Sequence, residues 1–455
     1  MCSSDLGMKK ALLLLPLLLS LAAPAMASPE QAASLKEMLT QRLSESATSR
    51  DRFHVERVPD IAVTEKSGQY QIRIPKLRLA AADGWMAEAP LVEGDGTPRP
   101  DGSWRLKLRL PQGVTLYGGN GFRLGDLSLV RQNLSMTISA DGRSLLSADL
   151  DVGEGKFTPA MGAGTGSLSA LRLVLTPKSM KDGLWSGRVS LSVDTLSLKD
   201  PMGVDRLAVK RLRLDGGAEG LDMRRMGDFL ANGDRGQLDR MVRTADLSAD
   251  IEGFRQVRDD GTRSTLRTGK GKLTLSGLTA AKAALALDWT HDGLDHTGPG
   301  MAPGLLPAQA QVTVNGTALP KALLTGERPA GGWTPLLAES GSTVKLSRLF
   351  LSNPQSTVLG QGDFRFSTAN ASGIAGNAAL ALRGVDRIIA GVNEAMGARG
   401  AGLAIGLYAL QGLGRVEPGR QGTTHQYDLT ITPGGQVTLN GTDATSLFRG
   451  LMAVN

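Results

Sequence analysis

Cysteine is all but missing from these 455 residues: the only one is Cys2, at the very start. A chain without a second thiol forms no intramolecular disulfide and no thiolate metal cluster, so its stability rests on burial and hydrogen bonding. Four histidines and an aromatic content of 4% narrow the field further. Sugar sites stack their ligands on aromatic platforms, yet Trp85, Trp104, Trp185, Trp289 and Trp333 are scattered. An outer-membrane barrel needs aromatic girdles at both interfaces, which this composition does not supply. After Ala27 no apolar run reaches the ~18 residues of a membrane-spanning helix. The formal net charge of +7 is dispersed along the chain. It reads as solvated faces rather than a nucleic-acid patch, and leaves room for weak attraction to an anionic membrane surface.

What is present begins with an address. Lys9-Lys10, then Ala11 to Leu21, then Ala25-Met26-Ala27 follow the basic, apolar and small-residue order of an export signal. Met1 to Gly7 carries Asp5 and fits poorly ahead of that signal, so Met8 reads as the natural start. Cleavage after Ala27 is expected, leaving a protein of the Gram-negative periplasm with no transmembrane helix. Cys2 lies too far upstream of the apolar segment to be an acylation site.

The repeated unit of the chain is clearest from Val189 to Leu214. Leu191 and Val193, then Leu196 and Leu198, alternate with period two but slip by one residue between the pairs. Leu207 and Val209, then Leu212 and Leu214, repeat the figure after a turn at Lys199-Asp200-Pro201-Met202-Gly203. The slip returns at Ile72-Ile74-Leu77-Leu79, Phe122-Leu124-Leu127-Leu129 and Val344-Leu346-Leu349-Leu351 with the intervening residues omitted. A flat strand would throw the second pair onto the opposite face. A β-bulge in each strand keeps all four on one face and bends the sheet. All eight of Leu191, Val193, Leu196, Leu198, Leu207, Val209, Leu212 and Leu214 are therefore expected to line an apolar groove. Charged partners between them, such as Arg105, Lys107 and Arg109, imply one wet face and hence an antiparallel sheet.

The expected organisation is a signal peptide (1–27), an N-terminal helix (28–48), a first β half (56–215) and a helical connector (216–244). A second β half (245–372), an apolar helical pair (373–414) and a terminal hairpin and helix (415–455) follow. Ser28 caps the first helix with Pro29 in its first turn and Gln31 at capping-box spacing, and Leu35, Met38, Leu39 and Leu43 share one face. In the apolar pair, Val385, Ile388, Ile389, Val392 and Met396 form one stripe, read as a lid over the groove, with Gly397, Gly400 and Gly402 as a joint to Ala401–Leu413. Asp443 caps a last helix burying Leu447, Leu451 and Met452.

The patterns that carry chemistry elsewhere do not hold together here. Asp288 to His296 collects two histidines and three further carboxylates, but His-x4-His matches neither a helical metal pair nor a finger spacing. Ser342-x-x-Lys345 has the spacing of a serine acyl-enzyme but falls at the start of a strand, where positions three apart face opposite ways. Gly162-Ala163-Gly164-Thr165-Gly166 lacks the Lys-Ser/Thr of a phosphate loop. No catalytic, cofactor or metal residue is assigned.

The sequence of export signal, phase-slipped strands, Leu306-Pro307-Ala308-Gln309-Ala310-Gln311-Val312, alanine-rich helices and a close at Tyr427-Asp428-Leu429-Thr430-Ile431-Thr432-Pro433-Gly434-Gly435 resembles an uncharacterised family of alphaproteobacterial periplasmic proteins with a domain of unknown function. The slipped strands are more distantly similar to the AsmA/TamB-like envelope proteins. That second resemblance implies an elongated, curled β-groove that carries lipid, although a cleaved signal leaves no membrane anchor. The expected fold is thus mainly β with some α: an elongated, strongly curled antiparallel sheet, groove or sandwich, with short helices. The expected function is non-enzymatic, holding lipid or another acyl chain, with other envelope proteins as partners and no cofactor. The alternatives are a filled-core assembly module of the envelope and a hydrolase with an unidentified site.

Overall fold

Strand after strand alternates apolar with charged or hydroxyl residues, and each meets its successor through a tight turn, so neighbours in sequence become neighbours in space. The computed structural model describes residues 28–48 and 53–452, apart from 82–83, 143, 161–163, 182, 223–224, 226–240, 299–305, 326–331, 371, 397–400 and 420–421. The signal peptide, most of the expected helical connector and the joint glycines Gly397 and Gly400 lie outside the described residues.

The first strands are β1 (Phe53–Val55), β2 (Ala62–Lys66), β3 (Gln69–Ala81), β4 (Met86–Pro98), β5 (Trp104–Arg109), β6 (Gly113–Tyr117), β7 (Arg123–Ile138) and β8 (Leu145–Pro159). There follow β9 (Gly166–Lys181), β10 (Leu184–Lys199), β11 (Asp205–Asp222), β12 (Thr244–Val257), β13 (Arg263–Ser276), β14 (Lys282–Asp292), β15 (Asp295–Thr297) and β16 (Gln309–Pro320). The chain ends with β17 (Thr343–Ser352), β18 (Thr357–Phe366), β19 (Ile374–Arg383), β20 (Arg415–Gly419), β21 (Gly422–Ile431), β22 (Val437–Leu439) and β23 (Thr442–Asp443). Six helices are described: α1 (Pro29–Thr48), α2 (Lys321–Thr325), α3 (Trp333–Ser340), α4 (Val385–Met396), α5 (Ala401–Leu413) and α6 (Thr445–Met452).

All strands belong to one curled antiparallel sheet, as the alternation predicted. It is a meander from β3 to β19, with β5 and β6 acting as one interrupted strand between β4 and β7, and β14 and β15 doing the same beside β13. The two β halves are therefore parts of one continuous sheet. Two predicted boundaries move. β11 runs on to Asp222 into the expected connector, and residues expected to open the helical pair form β19, because both stretches still alternate and still find partners in β12 and β18.

The phase slip has a different cause from the one expected. Asp194 faces Arg211 and Leu196 faces Val209, so β10 and β11 keep one register across it and no residue is extra. Instead Thr195 adopts a left-handed backbone at φ 49°. The same crease crosses the sheet through Lys76 (φ 49°) in β3 and Arg131 (φ 52°) in β7, and through Gly253 (φ 65°) in β12 and Gly293 (φ 69°) between β14 and β15. Its effect is the one a bulge was meant to have. In β13 a Cβ on Gly269 would lie 3.0 Å from Leu266 on the far side of the crease, which places both halves on one face. True bulges occur at Ser347 in β17, where Thr313 faces Arg348 and Val314 faces Leu346, and at Leu124 in β7. That second bulge leaves Phe122 and Leu124 exposed rather than on the apolar face.

Among the described residues separate cores, not one, hold the sheet. At the N-terminal end α1 lays Ala32, Leu35 and Met38 against Tyr70, Ile72, Val92, Trp104 and Leu106. The predicted cap is real, with Gln31 N–H donating to Ser28 Oγ at 3.2 Å. The Tyr70 hydroxyl takes the other half of the capping box, accepting from Ser28 N–H and donating to Gln31 Oε1, both at 2.6 Å. Trp185, Leu221, Val242, Leu278 and Ala283 form a second core along one rim. At the C-terminal end Tyr427, Leu429, Ile431, Val437 and Leu439 pack with Leu410 and Leu413 of α5 and Phe448 of α6. Asp443 caps α6 through Thr445 N–H at 2.8 Å, but Phe448 rather than Leu447 joins that core.

Candidate functional site

Directly opposed residues in antiparallel strands share a face, so the register can be followed from edge to edge. One such row runs Ile72, Gly94, Leu108, Leu134, Leu150, Leu173, Leu191, Leu214, Ala249, Gly271, Trp289, Val312, Leu349, Gly360, Leu380, Tyr427. A second, two residues along each strand, runs Tyr70, Gly96, Leu106, Met136, Ala148, Leu175, Val189, Gly216, Leu247, Leu273, Leu287, Val314, Leu346, Gly362, Ala378, Leu429, Leu439. Neither row contains a charged residue. Its glycines are filled by neighbours: a Cβ on Gly94 would meet Leu108 Cδ2 at 2.7 Å, and one on Gly271 would meet Trp289 Cε3 at 2.9 Å.

Burial along these rows is uneven, and this defines the site. Tyr70, Ile72 and Leu106 are buried under α1, and Tyr427, Leu429 and Leu439 in the core that α5 and α6 share. Between them the rows are mostly half-buried, and Val189 (36%) and Leu247 (47%) are exposed. The arrangement is an apolar trough stopped by helices at both ends and uncovered, among the described residues, along its middle.

The residues singled out from sequence lie in this middle stretch but are not buried as expected. Leu191, Val193, Leu196, Leu207, Val209, Leu212 and Leu214 are half-buried, and Leu198 is 42% exposed. The physical reason is that, among the described residues, α1 packs against the first strands and the other helices pack from β16 onward. Nor is hollowness confined to the apolar face. A cleft of about 670 Å³ lies on the polar side of the crease among Ser128, Lys156, Ser167, Ser197 and Lys199. Another of about 640 Å³ lies on the polar side of β17–β19 beside Lys345, Asp363 and Asn377.

The lid helix is placed at one end of the trough. Val385 and Ile389 of α4 are buried with Leu382 and with Leu407 of α5, whereas Ile388 turns toward the sheet and lines a pocket of about 220 Å³. Val392 and Met396 fall where side chains are not described. The pocket's floor is Leu351 and Val358, directly paired, two residues along their strands from Leu349 and Gly360 of the first row and so on the same face. Its remaining wall comes from Pro307, from Ser352, Asn353, Gln355 and Ser356 at the β17–β18 turn, and from Arg387 and Gly391 of α4.

The Asp288–His296 cluster is occupied with its own hydrogen bonds. His291 Nδ1 accepts from Trp289 Nε1–H at 2.9 Å, and its Nε2–H donates to the Pro307 carbonyl at 3.0 Å. Asp292 takes Arg267 at 2.7 Å and His296 Nδ1 meets Ser264 Oγ at 2.8 Å. These bonds fix the Trp289 ring over Gly271 in the trough. Buried near the C-terminal stop, Tyr427 Oη and His425 Nδ1 have no hydrogen-bond partner among the described residues, and burial raises the Tyr427 phenol above its ordinary pKa.

Per-strand reading missed Val189, Leu247, Leu273, Leu287, Trp289, Val312 and Val314 as trough residues. A usable signal existed in the glycines at 94, 216, 271, 360 and 362, which keep phase with the leucines but read as breaks when each strand is taken alone. No protein-family model matches the chain, and no curated protein matches it. No helix among the described residues is long and apolar enough to cross a membrane.

Proposed function

We propose that the protein is a non-enzymatic component of the Gram-negative periplasm that holds a lipid or other acyl chain along the uncovered middle of the trough. The observation that carries this reading is the pair of uncharged rows, sequestered at both ends and half-exposed between. A monomeric protein seldom leaves so continuous an apolar surface to water without a ligand or partner for it. Each methylene withdrawn from water contributes about 0.8 kcal/mol, so a chain of a dozen carbons needs no polar anchor to bind measurably. The export signal and the likeness of the slipped strands to AsmA/TamB-like proteins support the location and the ligand class. The trough could instead receive an apolar segment of another envelope protein, the assembly reading; the helices filling both ends favour this in part.

Titration with a fluorescent fatty-acyl probe below its micelle threshold tests the reading. Leu247→Asp, at an exposed position, is expected to leave the melting temperature within a few degrees while weakening the probe at least tenfold. Absence of probe binding to the parent protein overturns the lipid reading and leaves the assembly one.

A further inference from the structure

The pocket under α4 differs from the rest of the trough in having a charge at its mouth. Arg387 is exposed, lies among the lining residues and makes no ion pair among the described residues. Among the described residues no carboxylate lines the pocket. The wall is mixed: Ile388 of α4 and the paired Leu351 and Val358 form its apolar part and Ser352, Asn353, Gln355 and Ser356 its polar part, and Leu351 and Val358 stand two residues along their strands from Leu349 and Gly360 of the first row. From there the row continues through Val312 to Trp289, whose ring is held by His291, itself bonded to the Pro307 carbonyl at the pocket's edge. One cation over one apolar channel matches an amphiphile with one anionic end.

Size decides how much of that amphiphile enters. A dry cavity of about 150 Å³ accommodates a benzene ring. The 220 Å³ here accommodates a carboxylate and its first few methylenes, and is too small for a glycerophosphate head with two chains. Resting on the trough reading, we propose that the pocket beneath α4 is the head-group subsite, and that the trough's ligand is a single-chain fatty acid. Its carboxylate sits against the Arg387 guanidinium, its first methylenes lie between Ile388, Leu351 and Val358, and its tail follows Leu349 and Val312 toward Trp289. A guanidinium offers a planar pair of donors that a carboxylate fills with both oxygens.

Calorimetric titration of the purified protein with dodecanoate and with dodecanol, each below its aggregation threshold and at pH 8, tests the assignment. Dodecanoate is expected to bind more tightly than dodecanol. Arg387→Gln, which keeps the length and the exposed position, is expected to weaken dodecanoate about tenfold and leave dodecanol unchanged. Ile388→Trp, which fills the pocket, is expected to weaken both, with circular dichroism checking that the variant folds. If Arg387→Gln changes neither ligand while both bind the parent, the head-group assignment fails and the trough reading stands. If neither ligand binds the parent, the trough reading fails and takes the assignment with it. If the protein instead extracts phosphatidylglycerol from vesicles in preference to dodecanoate, the single-chain ligand is wrong.

Discussion

Single residues at the crease set the shape of the sheet, and their backbone geometry is testable. Gly253 has a left-handed backbone, and a Cβ there would lie 2.8 Å from Lys210 Cβ. Gly253→Val is therefore expected to cost about 1–3 kcal/mol, read as a fall in the urea midpoint at unchanged m-value. Thr195 is the converse case, a β-branched residue at φ 49°. Thr195→Gly relieves that strain and is expected to raise stability by about 1 kcal/mol; a loss instead would mean that the threonine side chain holds the crease together. Across the crease Lys210 and Arg211 both pair with Glu252, Arg131 with Glu154 and Arg267 with Asp292. These are exposed pairs worth at most about 1 kcal/mol each, so backbone conformation rather than charge makes the bend. Leu196→Asp, at a half-buried site, is expected to destabilise less than the same change at a fully buried position would. At the C-terminal stop, Tyr427→Phe removes a buried hydroxyl that has no partner among the described residues and is expected to hold or raise the melting temperature.

The turn between β10 and β11 and the helix α1 show how elements are secured. Asp200 closes that turn by accepting from Val204 N–H at 2.9 Å, Met202 N–H at 3.0 Å and Arg206 Nε–H at 3.0 Å. The Val204 contact contributes most to holding its carboxyl below the usual carboxylate range. A depressed acid stabilises the fold above its unfolded-state pKa, and that contribution disappears as pH falls through the lower folded value. Melting temperatures measured from pH 7 to pH 3 are thus expected to fall less steeply at the acid end in Asp200→Asn than in the parent. For α1, Leu35 is fully buried against the first strands, and Gly96 leaves room for its Cδ2 at what would be 2.8 Å from a Cβ. Leu35→Ala is expected to cost about 2–5 kcal/mol and to uncover the N-terminal end of the trough, seen as increased binding of an apolar dye.

Across the whole molecule the sheet is long enough that no single core can fill it. Buried clusters secure the two ends and one rim, while the middle relies on ladder hydrogen bonds and on its own half-buried side chains. Local opening should follow that division. Hydrogen exchange is expected to be slowest in β3–β5 and β21, where Tyr70, Leu106 and Tyr427 are buried, and faster in β11 and β12. Addition of dodecanoate is expected to slow exchange selectively in β12–β17. Uniform exchange with and without the fatty acid would argue that the middle carries no ligand.

The sequence by itself determined the antiparallel sheet, its one wet face, the capped helix at Ser28 and the place of each phase slip. All of these follow from local periodicity and from side-chain chemistry within a few residues. It also showed that Leu191 shares a face with Val193, Leu196 with Leu198, Leu207 with Val209 and Leu212 with Leu214, because a period of two fixes a face within each unbroken run. Whether those faces were covered depended on where α1, α4 and α5 came to rest, contacts that join residues tens of positions apart, as many as 99 between Arg42 and Asp141. Only tertiary structure could decide it. The cause of the slip was equally beyond reach, since a left-handed Thr195 and an inserted Ser347 leave the same mark on a row of leucines and differ only in what the neighbouring strand does.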